Sequence, residues 1–153
     1  MFRTPLPVRS RAQQGRAACL AIAEAQDHVV ARRQLAAHRI PRWVLQLELR
    51  ARRWRRGGRQ TVVVHNGPLS LQTRQTIAVF EVGSAAALDG VSALQRAGLK
   101  GLTDDHVVVS TPRGSTPQRP RGVVVKETRR FREHDVVIMS GIRCMRPAVA
   151  AVH

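Results

Sequence analysis

The residues of this chain best suited to chemistry are polar side chains that can donate hydrogen bonds to an anion or to a nucleobase edge. Arg42, Gln46, Arg50 and Arg53 recur every three or four residues, so on an α-helix they fall within one stripe about 80° wide. Guanidinium groups match phosphate or guanine in a bidentate geometry, and a glutamine amide matches adenine. The spacing therefore predicts a helix whose polar stripe can bind nucleic acid.

The sequence before the stripe predicts a short helix and a tight turn. Ala31–His38 has helical periodicity and follows the extended pair Val29-Val30. Pro41 lacks a backbone N–H, which is tolerated in the first turn of a helix, so we expect the next helix to run from Pro41 to about Arg53. Arg39 lies in the turn and joins the candidate contacts. A short helix, a turn and a polar helix in this order predict a helix-turn-helix.

The apolar residues of the second helix leave two choices for its buried side. Leu45 and Leu49 lie on one side of the polar stripe and can anchor the helix. Trp43 and Leu47 flank its other edge and could form the buried side instead. A solvated arginine face on an ordinary surface helix is the plainer interpretation, but the neighbouring turn and basic hairpin favour a recognition helix.

A basic hairpin is predicted directly after this helix. Trp54–Arg56 and Arg59–His65 have the pattern of two strands, with Gly57-Gly58 as a two-residue turn between them. Such a hairpin is the wing of a winged helix, and it can lie against a phosphate backbone or reach into a minor groove. The arginines expected to make these wing contacts are Arg55, Arg56 and Arg59.

Net charge agrees with a polyanionic partner. The 153 residues carry 26 Lys and Arg against 10 Asp and Glu, a formal net charge of +16, which attracts polyanions over a Debye length of about 8 Å. Residues 1–66 hold fourteen arginines against three acids, whereas residues 67–153 hold twelve basic residues against seven acids. A GC-rich genome would also favour arginine, but it would not explain this asymmetry. We therefore expect the binding face in the N-terminal half.

The predicted organisation is a tail followed by two units. Residues 1–10, rich in proline and arginine, are expected to be a disordered tail. Residues 11–66 form the predicted winged helix-turn-helix, which begins with an alanine-rich helix over Arg11–Gln26. Residues 67–153 form a second unit. The predicted fold class is α+β, a winged helix-turn-helix followed by a small mixed α/β domain with a few-stranded sheet. The buried positions expected in the first helix are Leu20, Ile22 and Ala23.

The second unit begins with helices and continues with strands. Ser70 can cap a helix over Leu71–Val82, and Asp89 or Ser84 can cap another. The segment Thr111–Arg121 holds three prolines and is expected to be a mobile excursion between strands. The predicted strands are His106–Ser110, Gly122–Glu127, Val136–Met139 and a short Gly141–Met145, followed by a final helix from Pro147.

Candidate catalytic and metal-binding groups lack the necessary partners. Asp104-Asp105-His106 is a tight group of acid and imidazole, but adjacent residues of a strand point to opposite faces, so a capped strand start is the simpler interpretation. Glu127 and Glu133-His134-Asp135 lie near the arginines of segment 129–132, which suggests surface ion pairs. No glycine-rich loop has the ending of a phosphate-binding motif. We predict no enzymatic activity, no catalytic residue, no metal and no cofactor.

Cysteine usage and hydropathy predict the compartment. Cys19 and Cys144 form no CxxC pair and have the character of reduced, buried thiols. No apolar run approaches the roughly 20 residues that span a bilayer, so we expect a cytoplasmic protein without a membrane partner. The arginine-rich start, with no acid before Glu24, also fits an organelle transit peptide.

The order of these segments, from about Leu20 to Val152, resembles actinobacterial members of the AbiE-type antitoxin family, AbiEi. The stretch VVARRQLAAHRI is similar to the family's first helix-turn-helix element, and PRWVLQLELRARRW to its recognition helix running into the wing. LSLQTRQTIAVF and HVVVSTPRG resemble parts of its second domain. The resemblance implies an N-terminal winged helix, with base reading by Arg42, Gln46 and Arg50 and wing contacts by Arg55, Arg56 and Arg59.

The polar stripe and the resemblance together predict a sequence-specific, DNA-binding transcriptional regulator. By resemblance it would repress its own toxin-antitoxin operon, with double-stranded operator DNA as one partner and a nucleotidyltransferase-type toxin as another. Two alternatives stay open. The final helix stops at His153 after barely two turns, which suggests a DNA-targeting remnant of a protein that carried a C-terminal endonuclease domain similar to very-short-patch-repair enzymes. The chain could also be a non-specific nucleic-acid binder, and its oligomeric state stays open.

Overall fold

The computed structural model describes residues 10–152. Within that range the chain is a mixed α+β protein with two β-sheets, which confirms the predicted fold class at this level. The predicted tail lies outside the described residues except for Ser10, and His153 also lies outside them. The Ser10 hydroxyl accepts a hydrogen bond from the Gln13 N–H at 3.2 Å, and the Gln13 side chain accepts from the Ser10 N–H at 3.0 Å. This reciprocal cap assigns Ser10 to the first helix rather than to the tail.

The N-terminal unit, residues 10–66, combines three helices with a three-stranded antiparallel sheet. Its elements in chain order are α1 (Arg11–Glu24), β1 (Val29–Ala31), α2 (Arg32–Ala37), α3 (Arg42–Arg50), β2 (Arg55–Arg56) and β3 (Thr61–Val63). Strand β3 lies in the middle of the sheet and pairs with β1 on one side and β2 on the other. Asp27 and His28 join α1 to β1 in left-handed backbone conformations, with φ of 57° and 66°. The break predicted at these two residues is present, but the helix itself ends at Glu24, two residues before the predicted end at Gln26.

The core of the N-terminal unit corrects one expectation about α1. Cys19 and Ala23, one turn apart, are fully buried, whereas Leu20 is 40 % exposed. Leu20 was predicted as a core residue, but it lies about 100° around the helix from Cys19 and therefore faces outward. Other buried side chains of this core are Leu35, Val44, Leu45, Trp54 and Val62.

The second unit, residues 67–152, is built around a five-stranded sheet. Its elements are α4 (Leu71–Val82), β4 (Ala87–Leu88), α5 (Gly90–Arg96), β5 (Val107–Pro112), β6 (Val123–Thr128), β7 (Val136–Met139), β8 (Ile142–Met145) and α6 (Pro147–Ala150), with a short 3₁₀ turn at Glu133–Asp135. The Ser70 hydroxyl caps α4 by accepting from the Thr73 N–H at 3.1 Å. Asp89 rather than Ser84 caps α5, because its carboxylate accepts from the Gly90 N–H at 2.8 Å.

Two features of this sheet differ from the sequence prediction. Strand β4 was not predicted, although it lies in the middle of the strand order β6-β5-β4-β8-β7. The segment predicted as a mobile excursion contributes its first two residues, Thr111 and Pro112, to β5. The remainder connects two parallel neighbours, β5 and β6, which cannot be joined by a tight turn. This connection is held in place, since the Gln118 N–H donates to the Val82 carbonyl at 3.0 Å.

The two units meet at a polar junction around Asp27. The Asp27 carboxylate accepts hydrogen bonds from Thr76 of α4 at 2.6 Å and from Arg96 of α5 at 2.5 Å. The Asp27 carbonyl accepts from the Thr73 hydroxyl at 3.1 Å. The side chain of Arg96 is only 2 % exposed, so its positive charge is balanced inside the junction. This network fixes the end of α1 against the second unit.

Candidate nucleic-acid interface

The turn before α3 determines where the helix begins. Arg39 adopts a left-handed conformation, with φ of 55°, and the Ile40 N–H donates to the Leu35 carbonyl at 2.8 Å, which closes the turn. Pro41 has φ of −64° and ψ of 143°, so it precedes the helix as its cap. The helix therefore starts at Arg42, one residue later than predicted. Arg39 is exposed in this turn beside the start of the helix.

Helix α3 has two distinct faces. Val44, Leu45 and Glu48 are buried, and Leu49 is partly buried against the same core. The opposite side is the outward face of α3, which consists of Arg42, Trp43, Gln46, Leu47 and Arg50, all exposed. Of the two choices that the sequence leaves open, the structure takes Leu45 and Leu49 as the buried side. The two apolar residues at the other edge of the stripe, Trp43 and Leu47, lie on the outward face.

Arg53 is separated from the other residues of the predicted stripe. The helix ends at Arg50, and Arg52 then adopts a left-handed conformation with φ of 57°. This change of direction brings the Arg53 guanidinium onto the buried Glu48 carboxylate, with Nε–Oε2 at 2.6 Å and Nη2–Oε1 at 3.2 Å. These hydrogen bonds raise the pKa of Arg53 above its ordinary value. The prediction that Arg53 shares the helical stripe is wrong, because its guanidinium neutralises an acid of the protein itself.

The hairpin places two arginines on a short exposed strand. Arg55 and Arg56 form β2 and pair with Val63 and Val62 of β3. Both side chains are exposed. The Arg55 guanidinium donates a long hydrogen bond of 3.4 Å to the Gly67 carbonyl. The strand therefore presents two guanidinium groups to solvent on a backbone that the sheet holds fixed.

The turn of the hairpin packs against α4. It contains the four residues 57–60, since the Gly57 N–H donates to the Thr61 carbonyl at 3.0 Å, and the predicted two-residue Gly-Gly turn is wrong. The Glu81 carboxylate accepts hydrogen bonds from the Gln60 N–H at 2.9 Å and from the Thr61 hydroxyl at 2.8 Å. A Cβ at Gly58 would overlap this carboxylate. The glycine is needed here for close approach, because Glu81 occupies the space of its side chain.

Arg59 lies in different surroundings from Arg55 and Arg56. It lines a cleft of about 810 Å³ between the hairpin turn, α4 and the segment before β6. Arg74 and Arg121 line the same cleft, together with the Glu81 that holds the turn. The three arginines predicted to act together on the wing therefore divide into two on β2 and one in this cleft.

Sequence reasoning missed the residues that join the hairpin and α2 to α4 of the second unit. Glu81 looks like an ordinary helical acid in the sequence, yet it is only 6 % exposed. Arg33 donates to the Phe80 carbonyl at 3.2 Å and its guanidinium lies 5.0 Å from the centroid of the Phe80 ring. Burial lowers the pKa of Arg33 from its ordinary value. The sequence holds one signal for the burial of Glu81: it lies four residues after Ile77, so the two residues share one face of the helix.

The acidic groups considered for catalysis have structural roles. Asp104 accepts a hydrogen bond from the His106 N–H at 3.0 Å, as expected for a capped strand start. Glu127 pairs with Arg119 at 2.6 Å, and Glu133 pairs with Arg143 at 2.7 Å. These ion pairs were predicted with the arginines of segment 129–132, but the partners come from other segments. Among residues 10–152, no group of three or more His, Cys, Asp or Glu could hold a metal ion.

The two cysteines are buried and unpaired. Burial raises the pKa of both the Cys19 and Cys144 thiols to about 11. At neutral pH both groups are therefore protonated, and a neutral thiol is a poor nucleophile and a poor metal ligand.

Comparison of the chain with protein-family profiles and with curated proteins finds no match. Within the described part of the chain, no helix has the length and hydropathy needed to cross a membrane. The family resemblance therefore stays a prediction, and the geometry of α3 and the hairpin carries the functional argument.

Proposed function

We propose that the chain is a DNA-binding transcriptional regulator of the winged helix-turn-helix type. Its N-terminal unit has the element order helix, strand, two helices and two strands, with the last strand in the middle of a small antiparallel sheet. The observation that carries the proposal is the outward face of α3, where Arg42, Gln46 and Arg50 are exposed together. The one acid of that helix, Glu48, is buried on the opposite side and paired with Arg53.

The electrostatics of α3 favour a polyanion over a neutral or cationic partner. Because Glu48 is turned inward, the outward face carries two guanidinium groups and no carboxylate. The second helix of a helix-turn-helix enters the major groove of DNA. In that position Arg42 or Arg50 would donate to guanine O6 and N7, and Gln46 would bond the N6 and N7 edge of adenine.

The hairpin would supply contacts of a different kind. Arg55 and Arg56 extend from a strand paired along its length with β3, so they are suited to a fixed phosphate position. Contacts to phosphate set the register of a protein on DNA without carrying base specificity. We therefore assign base preference to α3 and the salt-dependent part of the affinity chiefly to β2 and the net charge.

The proposal is tested by comparing binding of the purified chain to the DNA upstream of its gene with binding to a scrambled duplex at the same salt concentration. Arg50→Ala should weaken binding to the upstream DNA by about 1–3 kcal/mol and relax the preference at one base pair. Arg129→Ala removes the same charge from an exposed position in the second unit and is the matched control.

The outcome separates specific regulation from general nucleic-acid binding. Tighter binding to the upstream DNA, reduced by Arg50→Ala more than by Arg129→Ala, supports the proposal. Equal affinity for both duplexes would instead identify a non-specific nucleic-acid binder. An unchanged affinity and base preference in Arg50→Ala would refute the assignment of α3 as the reading helix.

The resemblance to AbiE-type antitoxins extends the proposal to autorepression of a toxin-antitoxin operon. In that case the chain should lower expression of a reporter placed behind its own upstream DNA, and it should protect cells from a nucleotidyltransferase encoded beside it. A neighbouring or frameshifted nuclease reading frame, with no repression of the reporter, would favour the remnant alternative.

A further inference from the structure

The outward face of α3 also carries an apolar pair that the contacts above do not use. The side chains of Trp43 and Leu47 are 43 % and 44 % exposed. They are four residues apart, so they are neighbours on the helix surface. The other large apolar residues exposed in the described part of the chain are Leu20, Leu99, Val124, Ile138 and Val152, each on a different element or loop.

The pair is not a displaced part of the hydrophobic core. At about 100° per residue, Trp43 and Leu47 lie about 160° from Leu45 around the helix. Leu45 and Val44 already fill the position against α1 and the sheet, each 1 % exposed. Trp43 and Leu47 instead lie beside Arg50, and Gln46 and Arg42 continue the same face. The outward face therefore has a polar line and an apolar line next to each other.

In this position the apolar line fits one group of the DNA major groove. The C5-methyl of thymine is the apolar group that base edges display there, and apolar side chains contact it. We propose that Trp43 and Leu47 select thymine methyl groups next to the base pairs contacted by Arg42, Gln46 and Arg50. This inference rests on the proposed function, which it deepens by adding thymine to the bases that α3 recognises.

Charge argues against a second protein as the occupant of this face. The two guanidinium groups lie on one side of the apolar pair, and a protein that covered the whole outward face would bury them at the cost of their hydration. A DNA duplex covers the same face while its phosphates neutralise those charges.

The helix geometry also predicts the spacing of the contacted thymines, since a separation of four residues is about 6 Å along the helix axis. Because a helix in the groove is inclined to the DNA axis, the thymines contacted should lie no more than about two base pairs apart, at about 3.4 Å per base pair.

The experiment replaces single thymines by deoxyuridine, which removes the methyl group and leaves the hydrogen-bonding edge unchanged. The probe is the duplex that the full chain enriches most strongly from a randomised library. Deoxyuridine should weaken binding about fourfold at each of one or two positions, the effect expected for one buried methyl-sized group. At other thymines the affinity should not change.

The variants Trp43→Ala and Leu47→Ala connect the effect to the two side chains. Each should bind the enriched duplex more weakly and lose the deoxyuridine effect at one position. Arg42→Ala should bind more weakly but keep that effect. Leu20→Ala, which removes a similarly exposed apolar side chain from α1, should change neither quantity. Thermal unfolding checks that every variant is folded, as expected for exposed positions.

The possible results distinguish this inference from the proposed function. An enriched sequence with no deoxyuridine effect at any thymine overturns the inference and leaves specific DNA binding intact. A deoxyuridine effect that persists in a double variant that combines Trp43→Ala with Leu47→Ala also overturns the inference. If Trp43→Ala and Leu47→Ala instead dissociate an oligomer in sedimentation, with no deoxyuridine effect, the pair is a protein interface and the inference fails. If the library yields no enriched sequence, both proposals fall.

Discussion

Helix α3 and the β2–β3 hairpin are both rich in arginine, yet the fold uses them differently. The inner side of α3 is buried in the core, and the polar groups of its outward face lie in solvent. The turn of the hairpin packs on α4, where Glu81 accepts hydrogen bonds from Gln60 and Thr61. The difference shows that counting arginines locates positive charge, but it does not show which segments are already held by contacts within the protein.

This comparison limits what the hairpin can do as a wing. Entry of its turn into a minor groove would have to break the hydrogen bonds that Gln60 and Thr61 donate to Glu81. Contacts through β2 need no such change, because Arg55 and Arg56 lie on the strand before the turn. We therefore expect the hairpin to touch phosphates with its strand while its turn stays on the second unit.

The largest effect is expected from removing the carboxylate that holds the turn. Glu81→Ala leaves the buried Thr61 hydroxyl, 0 % exposed, and the Gln60 N–H without this acceptor. An unsatisfied buried group costs about 1–3 kcal/mol, so the free energy of unfolding should fall by at least that amount in denaturant titration. Glu24→Ala, at an exposed position of α1, should stay within about 0.5 kcal/mol of the wild type.

A double-mutant cycle with Thr61→Val isolates the contact. If Glu81 and Thr61 interact as the structure shows, the double variant should be more stable than the sum of the two single changes predicts. Strict additivity would mean that the Thr61 hydroxyl does not interact with Glu81, which would leave the Gln60 N–H as the one donor of the turn to that carboxylate.

Local patterns predicted most of the elements correctly. The helix Leu71–Val82 and the strand Val136–Met139 have the bounds that periodicity and β-branched runs predict. Capping chemistry predicted Ser70 and left Asp89 and Ser84 as alternatives, of which the structure has Asp89; Ser70 and Asp89 each bond a backbone N–H within the first turn of their helix. These features depend on residues close in sequence, so the sequence contains the information that determines them.

The features that were missed depend on contacts between distant segments. Strand β4 has two residues, too few for a pattern, and exists because β5 and β8 pair with it. Glu81 is buried by a turn some twenty residues earlier in the chain. Arg53 leaves the helical stripe because Arg52 adopts a left-handed conformation, which is uncommon for a residue other than glycine. No local pattern in this segment predicts that conformation.

A smaller effect, on salt dependence rather than stability, is expected on β2. Arg55→Ala with Arg56→Ala should weaken binding to specific and scrambled DNA almost equally, and should reduce the slope of log K against log salt by about 0.9 per lost phosphate contact. Because Arg59 lines the cleft beside α4, Arg59→Ala is the matched single-charge comparison and should change the slope less than either β2 arginine. A wild-type slope in the double variant, with a lower thermal stability, would show that the strand is structural and touches no DNA.

The smallest effect concerns the end of the hairpin opposite the turn, where His65 follows β3. The pKa of His65 is lowered below its ordinary value of 6.5, mainly by burial and to a smaller extent by the nearby His28 and Arg55. The geometry agrees, because the Gly67 N–H donates to His65 Nδ1 at 3.0 Å and a protonated Nδ1 could not accept it. The folded state therefore binds fewer protons than the unfolded state, so stability should be full above about pH 6.5 and fall as the pH drops through the lowered pKa of the folded protein.

Denaturant titrations between pH 7.5 and about pH 5 should show this loss of stability, and His65→Gln should reduce it. Arg55→Ala should also reduce it by removing one of the charges that oppose protonation. If instead the stability of the wild type rises towards low pH in this range, the neutral histidine is not the favoured form, and the hairpin is not held at this end by the contact with Gly67.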